Sequence, residues 1–369
     1  MPLIWCSISA HGFGHAAQVV PVLNEVGRRV KDLHVILRTN VPRRFFEGRL
    51  NISSELSPAE QDIGCVQHGP LKIDAEATWD EHLRFHKEWA CRVADEEYLL
   101  RSQRPDLVLS DISYLAIEAG SRVPVPCVGL CSLSWDRVLE PFVDRRQTDH
   151  ARVLQDIVTS YQKATAMIRP MPGIPLTAFH HIYDVGPIAD SLTGDRTRLK
   201  RMVSASDDEQ LVLVGFGGIA LESLPFDRLS TMSGYRFIIS GPIPDGFTRG
   251  VTESSIPLPF RALLASVDLL VTKPGYGTIV EAVASGTPVV YIRRYNFADE
   301  SSLVGYVHRY GRAAELSAKD FAAGRWEYTL AAASRAPGPS KPAPAPRGAS
   351  EAANILASYL AWSSQTERR

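Results

Sequence analysis

Two stretches of this chain repeat one pattern: DLVLSDISYLAIEAGSRVPVPCV, residues 106–128, and DLLVTKPGYGTIVEAVASGTPVV, residues 268–290. Each reads strand, polar turn, helix, Gly or Ser, Pro, strand. The apolar runs are rich in Val, Ile and Leu and have strand length. A strand, a helix and a second strand in that order make a parallel βαβ unit, and strands that lack polar alternation are covered on both faces. Similar runs precede each copy: LIWCSIS and HVILRT in the first half, LVLVGF and YRFIIS in the second. Each half also opens with a strand that runs into glycines, ISAHGFGH in one and LVGFGG in the other. The expected fold is α/β, with two doubly wound, Rossmann-like domains facing a central cleft.

A length of 369 residues suits two such domains. The expected division is 1–183 for a first Rossmann-like domain and 184–334 for a second, with the hinge in HHIYDVGPIAD. Residues 335–349, rich in Pro and Ala, form a linker by composition. Residues 350–369 read as one amphipathic helix, which must dock back on the body to bury its apolar stripe.

The bulk numbers exclude several classes. With 45% hydrophobic and 22% charged residues, the chain reads as a soluble globular protein. A net charge of −1 supplies no positive field for a phosphate backbone, so no nucleic acid partner is expected. No apolar run is long enough for an integral membrane segment, and no secretory leader pattern opens the chain. The five cysteines are scattered without a CxxC and read as free thiols in a reducing compartment, so a cytoplasmic location is expected. No GxxxxGK[ST], HExxH, GxSxG or paired Cys/His spacing occurs, and no metal site is expected.

In a doubly wound sheet, ligands sit beyond the carboxyl ends of the strands, where strand order reverses. The loop AHGFGHA is such a turn. Gly12 and Gly14 allow close backbone approach, and His15 falls in the first turn of the following helix. An imidazole there suits a general base, because its pKa lies near working pH. It equally suits a residue that caps or packs the turn. His11 in the same turn and Trp135-Asp136, placed on a first-domain loop, are candidates for contact with an acceptor.

The segment 271–303, VTKPGYGTIVEAVASGTPVVYIRRYNFADESSL, is richer. A strand ends at Lys273, PGYG turns, and a helix starts near Thr278. Gly275, Gly277 and Thr278 form a nest sized for a pyrophosphate, Lys273 adds a point charge, and Glu281 lies within reach of a ribose diol. Each residue also has an ordinary structural use. Pro-Gly is a common turn, Lys273 suits a solvated surface, and a Glu near a helix N-terminus is stabilised by the dipole. Arg293 and Arg294 suit either a phosphate contact or a solvated loop edge.

The segment resembles the donor-binding signature of glycosyltransferases of the GT-B fold, in which a Gly-rich turn precedes Ser or Thr, then Glu, then Gly-Pro. The resemblance implies Glu281 as the ribose ligand and Gly277–Thr278 as the pyrophosphate site. It also implies Asp299 and Glu300, in NFADESS, as the acidic pair at the donor sugar. GFGG, with Gly217 and Gly218, resembles the loop that opens the donor domain. His15 and Gly14, in GFGHAAQVVP, resemble the Gly-His turn that carries the proposed base, and Asp111 resembles the aspartate that pairs with it. The most detailed chain-wide resemblance is to the glycosyltransferase-like N-terminal portion of plant arabinokinases, through HGFGHA, SWDRVLEPF, KPGYGT, VVYIRR and RGASEAANIL. No sugar-kinase phosphate loop follows, so kinase activity is not carried over. Lys273 stands where better-studied transferases have His or Ser, and Asp299-Glu300 where they have Asp-Gln.

The implied function is a metal-independent, inverting transfer from a nucleotide diphosphate sugar, with a UDP-sugar as expected donor. This co-substrate takes the place of a cofactor. The acceptor, whether a small molecule, a lipid or a glycoside, is not disclosed. A nucleotide-sugar epimerase and a non-catalytic nucleotide-sugar-binding regulatory protein share the same fold, which does not decide among the three.

Overall fold

The computed structural model describes residues 1–144, 146–190, 192–217, 224–339 and 341–366. The chain divides into two compact units. The first takes in Met1–Val66, Ile73–Ile188 and Arg347–Arg369, and the second Gln67–Lys72 and Ala189–Pro346.

The first unit is built on seven strands: β1 (Leu3–Ile8), β2 (His34–Arg38), β3 (Ser53–Ser57), β4 (Leu107–Asp111), β5 (Cys127–Leu130), β6 (Ala166–Pro170) and β7 (Ile182–Val185). They form one sheet in the order β3-β2-β1-β4-β5-β6-β7, every neighbour parallel. The reversal of order falls between β1 and β4, which end side by side at Ile8 and Asp111. Helix α1 (Phe13–Arg29) follows β1 and lays Ala16, Val19, Val20, Leu23 and Val26 against the core at helical spacing. Its N-cap, Gly12, has φ +81, a conformation that only glycine adopts without strain. Phe45 and Phe46 are both buried, and Phe45 stacks on Phe13 with ring centroids 5.3 Å apart.

The second unit repeats the scheme with β8 (Gln210–Val214), β9 (Tyr235–Ile239), β10 (Gly250–Thr252), β11 (Leu269–Thr272), β12 (Val289–Tyr291) and β13 (Ala313–Glu315). Their order is β10-β9-β8-β11-β12-β13, again all parallel, with the reversal between β8 and β11. Successive residues of one strand feed opposite cores. Leu211 and Leu213 enter one apolar cluster with Leu270 and Val289, while Val212 and Val214 enter another with Leu269 and Val290. Period-two side chains that are apolar on both faces explain why these strands read as unbroken hydrophobic runs. The α/β, doubly wound reading of both halves therefore holds.

Helix α2 (Gly348–Thr366) belongs to the first unit and packs on α1. Ala352, Ala353, Leu356 and Leu360 are buried, and Arg29 donates to Asn354 Oδ1 at 2.8 Å and to Ser350 Oγ at 2.7 Å. Gly348 is required there, because a Cβ on it would lie 2.0 Å from the carbonyl oxygen of Gly186. Cys6, Cys65, Cys127 and Cys131 are buried and Cys91 is exposed, all as free thiols. Among the described residues, no helix is long and apolar enough to cross a membrane.

Candidate functional site

The first cluster grows from the reversal point of the first sheet. The loop after β1 leads into α1 and brings His15 to its first turn, while β4 ends at Asp111 on the adjacent strand. His15 Nδ1 lies 3.2 Å from Asp111 Oδ1 and 3.1 Å from Oδ2. Asp111 is fully buried and the imidazole nearly so. Burial by itself lowers the His15 pKa. The Asp111 charge, its hydrogen bond and a contact with Cys131 outweigh that, and hold the ring well above the ordinary histidine value. Donation of Nδ1–H to the carboxylate turns the lone pair of the neutral ring to Nε2.

Ile112, immediately after Asp111, has φ +61, a left-handed conformation unusual for a β-branched residue. Its carbonyl accepts the Tyr161 hydroxyl at 2.5 Å, which holds the turn. Backbone held out of its ordinary basin beside a buried carboxylate is typical of sites under functional constraint.

Around this pair the structure adds residues that the sequence did not single out. Asp62, in the coil after β3, accepts from Ser9 Oγ at 3.0 Å and from the Trp135 indole Nε1 at 2.9 Å. Burial pushes its carboxyl up to about 6, against the lowering effects of Trp135, the His15 charge and Ser9. The Trp135 ring meets His11 edge-on, centroids 5.4 Å apart, and tilts against His15 at 6.0 Å. The loop placement of Trp135 and Asp136 is corrected. Residues Trp135–Leu139 form a short helix in which both are buried, so that Trp135 holds Asp62 and His11 in position. Their apolar neighbours Val138 and Leu139 pull this turn inward. The only sequence sign of Asp62 was an acidic residue in a Gly-ended coil after a strand.

The second cluster occupies the equivalent point of the second sheet. Beyond β8 come Gly215, Phe216 and Gly217, and beyond β11 come Lys273, Pro274 and Gly275. Helix α3 (Tyr276–Ser285) starts two residues earlier than expected, with Gly275 as N-cap. Gly277 and Thr278 lie in its first turn, where backbone N–H groups have no intrahelical acceptor. Glu281 is half-buried on the same helix and Gly14 lies in the first turn of α1. Gly218 lies outside the described residues.

Lys273 Nζ bridges the two glycine turns. It sits 3.8 Å from where a Cβ on Gly217 would be, and 3.6 Å from the corresponding position at Gly275. Burial, joined by the Arg294 charge and opposed by Asp299, pulls the Lys273 pKa down to about 7. Arg294 is itself buried; its Nη2 lies 3.3 Å from Asp299 Oδ1, and its guanidinium lies 3.8 Å from the Phe297 ring centre.

Asp299 and Glu300 do different things. Asp299 stays half-buried beside Arg294, at the N-cap of α4 (Glu300–Tyr310). Glu300 is 2% exposed and turned inward. Its Oε1 accepts from Arg293 Nε at 2.9 Å and from the Tyr295 amide at 3.2 Å, and its Oε2 accepts from the Arg294 amide. The carboxylate thus folds the 293–295 loop back onto the helix start.

Among the described residues, His15, Asp111 and Cys131 are the group able to hold a metal ion, with ligand atoms within 4.8 Å of one another. As placed, the imidazole and the carboxylate are at hydrogen-bond distance, and burial raises the Cys131 thiol above its ordinary value. An ion there would have to displace the thiol proton.

No protein-family model matches the chain. It is similar to the Arabidopsis thaliana L-arabinokinase, 26% identical over 328 residues that cover 86% of this chain and 31% of that protein. The chain thus spans about a third of the length of this curated relative. Solved structures match over nearly its whole length. The glycotransferase of kitacinnamycin matches with TM-score 0.63 and 18% identity, over 98% of this chain and 96% of that one. CalG4, the calicheamicin glycosyltransferase, matches with TM-score 0.60 and 16% identity, over 98% and 95%. Phytolacca americana UGT2, complexed with UDP-2fluoro-glucose and pterostilbene, matches with TM-score 0.59 and 15% identity, over 100% and 95%. With two parallel, doubly wound sheets and these neighbours, the chain has the fold of the GT-B glycosyltransferases.

Proposed function

We propose that the chain is a metal-independent, inverting glycosyltransferase that moves a sugar from a nucleotide diphosphate sugar, a UDP-sugar, to an acceptor hydroxyl. The observation that carries this reading is the His15–Asp111 pair, 3.1 Å apart at the carboxyl ends of adjacent strands. A ring so held presents Nε2 as a base of raised pKa. It takes the acceptor proton as the acceptor oxygen attacks the anomeric carbon opposite the diphosphate, which inverts that carbon. Asp111 stabilises the imidazolium that forms and keeps its own charge.

The second unit holds the donor. The leaving diphosphate gains charge as the glycosidic bond breaks. Lys273 and the amides of Gly277 and Thr278 are the groups that meet that charge. Glu281 is the ribose ligand in this reading, and Asp299 contacts the donor sugar. Glu300 serves as the positioning residue for the 293–295 loop. The UDP-sugar assignment draws on the donor held by the Phytolacca protein. A cytoplasmic location accords with the free, mostly buried thiols.

The test is UDP release from UDP-glucose in the presence of an acceptor panel, with the wild type and His15→Ala. Acceptor-dependent release that the substitution abolishes, with UDP affinity retained, supports the assignment. Conversion of the donor without any acceptor identifies an epimerase instead. Donor binding without turnover, indifferent to His15, identifies a regulatory module.

A further inference from the structure

His15, Asp111 and Cys131 come from the carboxyl ends of three strands that lie side by side. The turn after β1 leads to His15, β4 ends at Asp111, and Cys131 is the first residue after β5. The backbone on which they stand is tied down. The Cys131 amide donates to the Ile168 carbonyl at 3.2 Å, and the Tyr161 hydroxyl fixes the Ile112 turn that follows Asp111. One imidazole nitrogen, one carboxylate oxygen and one sulfur are thereby gathered within 4.8 Å of one another.

The separations suit a small ion. In a tetrahedral zinc site with bonds of about 2.0–2.2 Å to nitrogen and oxygen, those two atoms stand about 3.4 Å apart. His15 Nδ1 stands 3.1 Å from Asp111 Oδ2 and 3.2 Å from Oδ1. An ion can thus take the place of the proton between them with little movement of either group. The sulfur of such a site lies about 3.6 Å from the nitrogen, inside the 4.8 Å that bounds this cluster. Asp111 is fully buried, and among the described residues His15 is the one hydrogen-bond donor that meets its carboxylate. The lone pairs that remain are available to a cation.

The donor set also selects the ion. Thiolate with imidazole suits zinc and cobalt, whereas magnesium and calcium require oxygen ligands. We infer that this cluster is an inhibitory zinc site, in which His15 Nδ1, a carboxylate oxygen of Asp111 and Cys131 Sγ hold the ion and silence the base. The inhibitory part rests on the reading of His15 as that base. When Nδ1 coordinates the ion, the proton of the neutral ring passes to Nε2, and the Cys131 thiol gives its proton to solvent. Nε2 is then an N–H donor with no lone pair for the acceptor's proton. Turnover itself uses no metal; added ion competes with it. Three protein ligands leave the fourth position to water, and the thiol resists ionisation because it is buried, so the ion is held reversibly. His15, with 12% of its side chain exposed against none for Asp111, is the side from which the ion arrives.

The experiment is a cobalt titration of the full chain carrying Cys91→Ser, which removes the exposed thiol. We expect a near-ultraviolet thiolate-to-cobalt band with visible bands of tetrahedral intensity. Zinc should displace the cobalt and excess magnesium should not. Cys131→Ser should abolish the thiolate band and weaken zinc binding by more than about a hundredfold, since even an outer partner of a ligand is worth about 10–100-fold. Asp111→Asn, read in the same way, covers the case in which Cys131→Ser does not fold. UDP release is then followed with zinc, each protein referred to its own metal-free rate. It should fall as the site fills, recover with chelator, and lose its zinc sensitivity in Cys131→Ser. Absence of the thiolate band, a band that survives Cys131→Ser, or magnesium competing as well as zinc would overturn the inference. So would zinc binding that leaves transfer untouched while His15→Ala abolishes it, with the base reading standing. If zinc binds and transfer ignores both the ion and His15→Ala, the base reading fails and the inhibitory role with it, while the metal site stands.

Discussion

His15 Nδ1 and Asp111 Oδ2 meet at 3.1 Å although 96 residues separate them in the chain. The contact exists because β1 and β4 are neighbours at the reversal of strand order, so the turns beyond their ends share one space. The left-handed turn at Ile112, a strain on the order of 1–2 kcal/mol, follows the carboxylate directly.

If His15 is the base, His15→Ala should lower kcat by about 10²–10⁴-fold and leave UDP affinity nearly intact. The base works unprotonated and Asp111 raises its pKa, so activity should fall on the acid side along a limb that lies above the ordinary histidine value. Asp111→Asn should move that limb to lower pH. A limb that stays in place in this variant would show that another group titrates.

The same pair predicts a pH-dependent stability difference. His15 is raised in the folded state, so its contribution is fully present below about 6.5 and is lost as pH rises through the folded value. Thermal unfolding of wild type and His15→Gln should therefore differ most at low pH and converge when alkaline.

Lys273, pulled down to about 7, should take up a proton when a diphosphate binds, because the ligand's charge raises it again. Between pH 7 and 9 the affinity for UDP should fall as pH rises. Calorimetric enthalpies should also depend on the buffer's ionisation heat. In Lys273→Met both dependences should vanish together with most of the affinity.

The two acidic residues at the start of α4 should separate. Glu300→Ala removes a buried carboxylate from three donors and should cost about 3–5 kcal/mol in urea unfolding as well as donor affinity. Asp299→Ala should lower donor affinity and cost less stability than Glu300→Ala, because it takes a carboxylate from one donor, Arg294 Nη2, rather than from three. Equal stability losses in both would refute the division of labour.

Removal of metal should change nothing. Activity after exhaustive chelation should match the untreated protein, and elemental analysis should find no stoichiometric zinc. A bound metal whose loss abolishes turnover would instead place it on His15, Asp111 and Cys131.

The sequence by itself determined the two parallel sheets, because period-two burial on both faces writes unbroken apolar runs and crossover helices separate them. It also determined the glycine turns at 12 and 275, which interrupt those runs where a helix must begin. His15 and Lys273 stood out in the sequence as polar residues at turn starts and strand ends, whereas Asp111 entered only through the family resemblance. Only the tertiary structure decided that Trp135 holds Asp62 across 73 residues, that Ser7 holds Gln61 across 54, and that Glu300 points into its own loop. Local periodicity encodes which element forms and which face is buried. Which side chains then meet depends on strand order, and that is set by packing between segments far apart in the chain.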